Sequence, residues 1–83
     1  MSLEEYVSNP LWSVLVETVH AMVMFPHHKA YTRKVILNEQ PDTTPSELAA
    51  KLGIPLGEAM VILYELKKEK TESSKSTTSS QTK

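Results

Sequence analysis

Three histidines and a few hydroxyl and carboxyl groups are the side chains that could do chemistry in this sequence. Ser13, Glu17 and His20 follow one another at helical spacing and share one narrow polar stripe of a predicted helix. This regular stacking does not bring a nucleophile and a base together around a substrate. We expect His20 to form an exposed pair with Glu17, three residues earlier on the same helix.

The other two histidines, His27 and His28, are adjacent and follow Pro26 at the start of a second predicted helix. Neighbouring helical residues point to different faces, so these two cannot easily bind the same ion. No cysteine and no His-Glu-x-x-His pattern accompanies them. With two glycines in 83 residues there is also no phosphate-binding loop. We therefore predict no catalytic site, no metal site and no cofactor, and conclude that the protein is not an enzyme.

Basic residues form a possible contact for nucleic acid on the second predicted helix. Lys29 lies about one turn before Arg33 and Lys34, and this edge of the helix could touch phosphates without reading a base sequence. The alternative is an ordinary solvated helix face. The chain carries 9 basic and 10 acidic residues, a net charge of −1. Binding to a nucleic-acid backbone would therefore depend on this local patch.

Five prolines divide the chain into helical intervals that must position these residues. Ala, Leu, Met, Glu and Lys dominate the intervals, and no alternation typical of a strand occurs. The sequence predicts an all-α domain of three to four helices, preceded by an acidic segment that could add a turn. The predicted helices span 10–25, 27–40, 45–52 and 56–70.

The apolar residues end at Leu66, and residues 71–83 read TESSKSTTSSQTK. This distribution predicts one folded domain over 1–70 and a disordered Ser/Thr-rich tail over 71–83. A domain this small without cysteines often depends on oligomerisation or on a larger partner. The acidic N-terminus does not resemble a signal peptide, and the longest apolar stretch is too short to cross a bilayer. We expect a soluble, cytoplasmic protein that acts away from membranes and binds no small-molecule substrate.

The strongest local signal is Thr44-Pro45-Ser46-Glu47, which predicts a capping box. Thr44 can cap the helix, Pro45 suits the first helical position, and Glu47 can reach back to the capping residue. Gly53 then ends the helix after about eight residues. A helix this short needs neighbours to persist.

The segment 44–68, TPSELAAKLGIPLGEAMVILYELKK, resembles the helix-turn-helix core of prokaryotic winged-helix-type transcription regulators. The resemblance implies that one face of each helix packs into a tri-helical core and that Gly53 reverses the chain. The implied core residues are Leu48, Ala49, Leu52, Ile54, Ala59, Ile62 or Leu63, and Leu66. The Ser/Thr run begins where the family places its β-hairpin, so the wing is absent.

The resemblance implies a DNA-reading role for the outer face of the long helix, but this chain departs from the family there. Leu56, Met60, Val61 and Tyr64 form an apolar stripe instead of the donors and acceptors that discriminate base edges. We expect the tri-helical core to leave this stripe uncovered and available to a protein partner. Two alternatives remain: the helix is rotated so that these residues are core, or the first helix covers them.

The first predicted helix is apolar around most of its circumference. Its apolar side chains are Trp12, Leu15, Val16, Val19, Met22, Val23 and Phe25. Such a helix is typically buried on several sides. We expect burial by a second copy or by a larger protein, or else a central place in a compact bundle.

Together these features predict a non-enzymatic helix-turn-helix accessory protein of a DNA-transaction complex, in transcription or replication. Trp12 and the apolar stripe would bind a protein partner, and Lys29, Arg33 and Lys34 would add non-specific contact with DNA. The alternative is a homodimeric, DNA-binding transcription regulator. A third reading is a protein-binding module with no link to nucleic acid.

Overall fold

The computed structural model describes the backbone of residues 3–79 and the side chains of residues 3–70. The predicted all-α fold is confirmed, and there is no strand in the described range. The helices are α1 (Leu3–Val7), α2 (Trp12–His20), α3 (Phe25–Tyr31, continued by a π-helical segment Thr32–Ile36 and a last turn Leu37–Glu39), α4 (Pro45–Leu52) and α5 (Leu56–Ser79). Helix α5 continues to Ser79, nine residues beyond the predicted end at residue 70. Residues 80–83 of the predicted disordered tail 71–83 lie outside the described residues.

The first predicted helix, 10–25, corresponds to α2, which ends at His20, five residues earlier than predicted. Two backbone hydrogen bonds between residues three apart form the turn that follows. The Met22 amide donates to the Val19 carbonyl at 3.0 Å, and the Phe25 amide donates to the Met22 carbonyl at 3.1 Å. This turn directs Phe25, 7% exposed, into the core, where it starts α3. Pro26 lies in the first turn of α3, where its missing N–H costs no hydrogen bond. The same residue inside a longer α2 would have broken that helix.

The π-helical segment of α3 places two buried side chains, Thr32 and Ile36, on the core side. The Thr32 hydroxyl donates to the His28 carbonyl at 2.8 Å, so this fully buried polar group has a partner. A hydroxyl bonded to the carbonyl four residues back is a common companion of local helix distortion. Beyond this segment, α3 ends at Glu39.

The predicted capping box of α4 is present. The Glu47 amide donates to the Thr44 hydroxyl at 3.2 Å, and the Thr44 amide donates to the Glu47 carboxylate at 3.1 Å. Gly53 follows the helix with φ of 68°, a left-handed conformation that favours glycine. The chain therefore reverses between α4 and α5 as predicted from residues 44–53.

The long helix α5 is the centre of the domain. Every residue from Glu58 to Leu63 is buried, so this part of the helix is covered on all sides. Helices α2, α3 and α4 all pack against it. Gly57 lets α2 approach closely, because a Cβ atom there would lie 2.9 Å from the Leu15 Cδ1.

Candidate docking surface and ion-pair network

The apolar stripe on α5 is not the uncovered surface that the sequence predicted. Met60 is 6% exposed and Val61 is completely buried. Tyr64 is half-buried against Trp12, with ring centroids 5.5 Å apart in an edge-to-face arrangement. Only Leu56 is exposed. The alternative in which the first helix covers the stripe is therefore the one that the structure adopts, and no partner can reach Met60 or Val61.

Exposed apolar side chains lie instead on α2 and the turn that follows it. We call these residues the α2 apolar surface: Leu11 (69% exposed), Val14 (54%), Val23 (86%) and Met24 (52%). Helix α2 uses the face that carries Trp12, Val16 and Val19 to pack on the core. Because the domain is too small to surround the helix, its remaining apolar face meets solvent. The alternative that the first helix takes a central place in a compact bundle is therefore wrong, since Val19 is its one fully buried residue. Burial by a second copy or by a larger protein stays a prediction.

Two of the three predicted nucleic-acid contacts form ion pairs with the carboxylates of α5. The Lys29 Nζ lies 3.0 Å from the Glu65 Oε1 and 2.6 Å from the Glu69 Oε2, and its side chain is only 17% exposed. The Arg33 Nη2 lies 3.0 Å from the Glu69 Oε1. The positive ridge is therefore largely neutralised within the chain. Lys34 is exposed and has no ion pair among the described residues.

The pKa values of this network follow from its hydrogen bonds. The bond from Lys29 lowers the pKa of the Glu69 carboxyl below its ordinary value of 4.5, and Arg33 acts in the same direction, while burial opposes both. Burial would lower the pKa of Lys29, but its hydrogen bonds with Glu69 and Glu65 outweigh that effect and raise the pKa above 10.5. Both groups are charged at neutral pH.

His20 binds a carboxylate, but not the predicted one. Its Nε2 lies 2.6 Å from the Glu65 Oε2, so Glu65 contacts both His20 and Lys29. The predicted pair with Glu17 is wrong because α2 packs beside α5 and brings His20 to the carboxylate of that helix. Glu17 is exposed and makes no ion pair in the described part of the chain.

A buried pair joins α3 to the start of α5. The His28 Nδ1 lies 2.6 Å from the Glu58 Oε2, and the Glu58 side chain is 1% exposed. The Glu58 Oε1 is also buried and has no hydrogen-bond partner within residues 3–70. The helix-turn-helix resemblance implies an outer, DNA-reading position for Glu58, but the structure buries this side chain. His27, the neighbour of His28, is exposed.

A sequence signal for this network existed in the spacing of its charges. Three carboxylates on the long helix, Glu58, Glu65 and Glu69, repeat after seven and four residues and so share one helix face. The basic residues His28, Lys29 and Arg33 lie within a stretch of six residues on α3. Matching these two sets would have predicted pairing between the helices instead of a free positive ridge.

An open groove of about 870 Å³ separates α2 from the later turns of α5. Trp12, Val14 and Tyr64 line it, together with Glu17 from α2 and Lys68 from α5. No group of three potential metal ligands occurs in the part of the chain that is described. Within that part, too, no helix is both long enough and apolar enough to cross a membrane. The arrangement offers an apolar and charged contact surface.

Comparison with models of known families, with curated protein sequences and with solved structures gave no significant match. The resemblance to helix-turn-helix regulators therefore rests on residues 44–68 alone.

Proposed function

We propose that this protein is a non-enzymatic helix-turn-helix adaptor that acts through protein–protein contacts in a cytoplasmic DNA-transaction complex of transcription or replication. The observation that carries the proposal is the burial of α5. From Glu58 to Leu63 no side chain is free to enter a major groove, whereas a reading helix must present several polar side chains to base edges. The helix-turn-helix serves here as the core of a small docking domain.

The ion pairs of Lys29 and Arg33 also favour the adaptor over a DNA-binding regulator. Lys29 and Arg33 already hold Glu65 and Glu69, so a phosphate would have to compete with two carboxylates. Of the predicted phosphate contacts only Lys34 is unpaired within the described range. One exposed lysine supplies little affinity, because binding to a nucleic-acid backbone grows with the number of phosphates neutralised.

The α2 apolar surface supplies what a partner would bind. Val23 and Met24 project from the turn between α2 and α3, and exposed apolar side chains grouped in this way mark interaction sites. Loop residues can present such side chains without disturbing the core, against which the neighbouring Met22 and Phe25 pack. We assign the partner contact to this turn and not to Met60 and Val61.

The experiment is an affinity pull-down from native cells with the tagged chain, followed by mass spectrometry. We expect a nucleic-acid-processing protein to co-purify, and the double variant Val23→Asp/Met24→Asp to lose it. Ser46→Asp/Ala50→Asp is the matched control, because it adds the same two carboxylates at exposed positions of α4, outside the turn. Unchanged capture by the double variant would contradict the assignment of the turn.

A second measurement separates the adaptor from the regulator. Fluorescence anisotropy with duplex DNA at physiological salt should show no sequence preference for the isolated chain. Sequence-specific binding would overturn the proposal, since α5 would then have to read bases despite its burial.

A further inference from the structure

We infer that two copies of this chain form a twofold-symmetric dimer through the groove between α2 and α5. The inference does not depend on the adaptor function, since the partner contact is assigned to the turn at Val23 and Met24, and the groove shares only Val14 with the α2 apolar surface. It starts from the distribution of charge along the groove. One wall carries a single carboxylate without a partner, and the other carries a single ammonium without a partner.

The two walls belong to different helices. Glu17 projects from α2, is exposed, and has no ion pair among residues 3–70. Lys68 projects from α5, is also exposed, and is likewise unpaired within that range. The other charges of the groove, His20, Lys29, Glu65 and Glu69, are bound to one another. The groove therefore has one free negative and one free positive rim.

A surface of this kind is complementary to itself. In a twofold interface each contact occurs twice, so residue i of one copy meets residue j of the other and j meets i. A second copy turned by 180° would bring its Lys68 to Glu17 and its Glu17 to Lys68. A partner of uniform charge would satisfy only one rim and would be repelled by the other.

The floor of the groove provides the apolar contact that a dimer needs. Trp12 and Tyr64 lie side by side there, and Val14, 54% exposed, lies next to them on α2. Aromatic side chains in the centre of an interface with charges at the rim are the usual arrangement of protein contacts. The net charge of −1 opposes association of two copies only weakly.

Charge reversal at the two rims tests the inference with the full chain. We expect light scattering and sedimentation to show a dimer for the wild type. Glu17→Lys and Lys68→Glu should each weaken dimerisation by about tenfold or more, because each variant places two like-charge pairs across the axis. An equimolar mixture of the two variants should dimerise as well as the wild type, since both pairs are then attractive. Lys67→Glu, a neighbouring charge reversal outside this groove, should leave dimerisation unchanged.

Several results would overturn the inference. A wild type that stays monomeric up to about 500 µM would exclude a dimer of any use in a cell. If both rim variants dimerise as strongly as the wild type, this groove is excluded as the interface. Failure of their equimolar mixture to recover dimerisation would exclude it as well. Circular dichroism and urea unfolding should show that the variants are folded, as expected for exposed positions. An adaptor that binds its partner as a monomer would leave the proposed function intact while refuting the dimer.

Discussion

At the scale of single residues, the most unusual feature is a buried glutamate, Glu58, whose one side-chain partner among the described residues is His28. Glu58 is 1% exposed, and only one of its two carboxylate oxygens has a hydrogen-bond partner within the described side chains. Removing one member of a buried pair leaves the other without compensation, whereas replacing both by apolar residues is often harmless. The pair therefore positions α3 against α5 more than it adds to stability.

This arrangement predicts a non-additive pair of substitutions. His28→Ala should lower the free energy of unfolding by about 2 kcal/mol, because the Glu58 carboxylate then has no partner in a buried site. The double variant His28→Leu/Glu58→Leu should be close to the wild type in urea unfolding. An equal loss from His28→Ala in a Glu58→Leu background would show that the two residues do not interact.

A second residue-scale prediction concerns pH. Lys29 lowers the pKa of Glu69 in the folded protein below that in the unfolded chain, so the unfolded chain binds more protons in acid. Glu69 therefore adds stability above its unfolded pKa near 4.5 and loses that contribution as the pH falls through its folded pKa. The side chain is 46% exposed, so we expect the effect to stay below about 1 kcal/mol.

The measurement is urea unfolding between about pH 6 and pH 3 for the wild type and Glu69→Gln. The difference in stability between the two proteins should shrink as the pH falls. A constant difference across this range would mean that the Glu69 charge is not stabilised by folding.

At the scale of the elements, two residues one turn apart on α5 have opposite environments. Met60 is buried and Leu56 is 38% exposed, although both belong to the same apolar stripe in the sequence. Helix α2 packs along this part of α5, where Leu15 meets Gly57 and Trp12 meets Tyr64, and Leu56 lies at the exposed end of the stripe. Most of the stripe that the sequence predicts as a partner interface is therefore buried in the core.

Matched substitutions to aspartate test this assignment. Met60→Asp should cost several kcal/mol, on the order of 3 or more, because it buries a charge without a partner. Leu56→Asp should change stability by less than about 0.5 kcal/mol, because the site is open and a carboxylate is favourable at a helix N-terminus. Thermal unfolding followed by circular dichroism measures both. Similar losses for the two variants would contradict the position of α2.

At the scale of the whole molecule, the domain leaves apolar side chains exposed that a larger core would cover. Residues 3–70 build one core around α5, and three helices suffice to bury it. Helix α1 has only five residues, and the outer face of α2 at Leu11 and Val14 stays exposed. Association with another molecule is the way in which a domain of this size gains further burial.

A dimer predicts that stability depends on protein concentration. A tenfold rise in concentration should stabilise a folded dimer against two unfolded chains by about 1.4 kcal/mol, which appears as a higher unfolding midpoint. Val14→Asp, an exposed substitution on the floor of the groove, should remove this dependence without unfolding the chain. Calorimetry at several concentrations is the measurement. A midpoint of the wild type that does not move with concentration would argue against the dimer.

The sequence by itself determined the local structure where chemistry acts between neighbours. The capping box at Thr44 and Glu47 and the left-handed Gly53 follow from hydrogen bonds and backbone sterics within a few residues. Helical composition likewise predicted the all-α class. The resemblance over 44–68 implied burial of Ala59, of Ile62 or Leu63, and of Leu66, and all four side chains are buried. The cap and the reversal at Gly53 do not depend on where distant segments pack.

Only the tertiary structure decided which apolar face is covered and which charges are paired. Trp12 and Tyr64 are 52 residues apart in the sequence, and His20 and Glu65 are 45 apart, so no local rule links them. A helix that is apolar nearly all round, such as α2, can bury any of several faces with similar gain. The choice is made by the shape of its neighbours, above all the close approach that Gly57 allows to Leu15. As a result, the exposed apolar surface lies on α2 and the turn after it, and not on α5 as the sequence predicted.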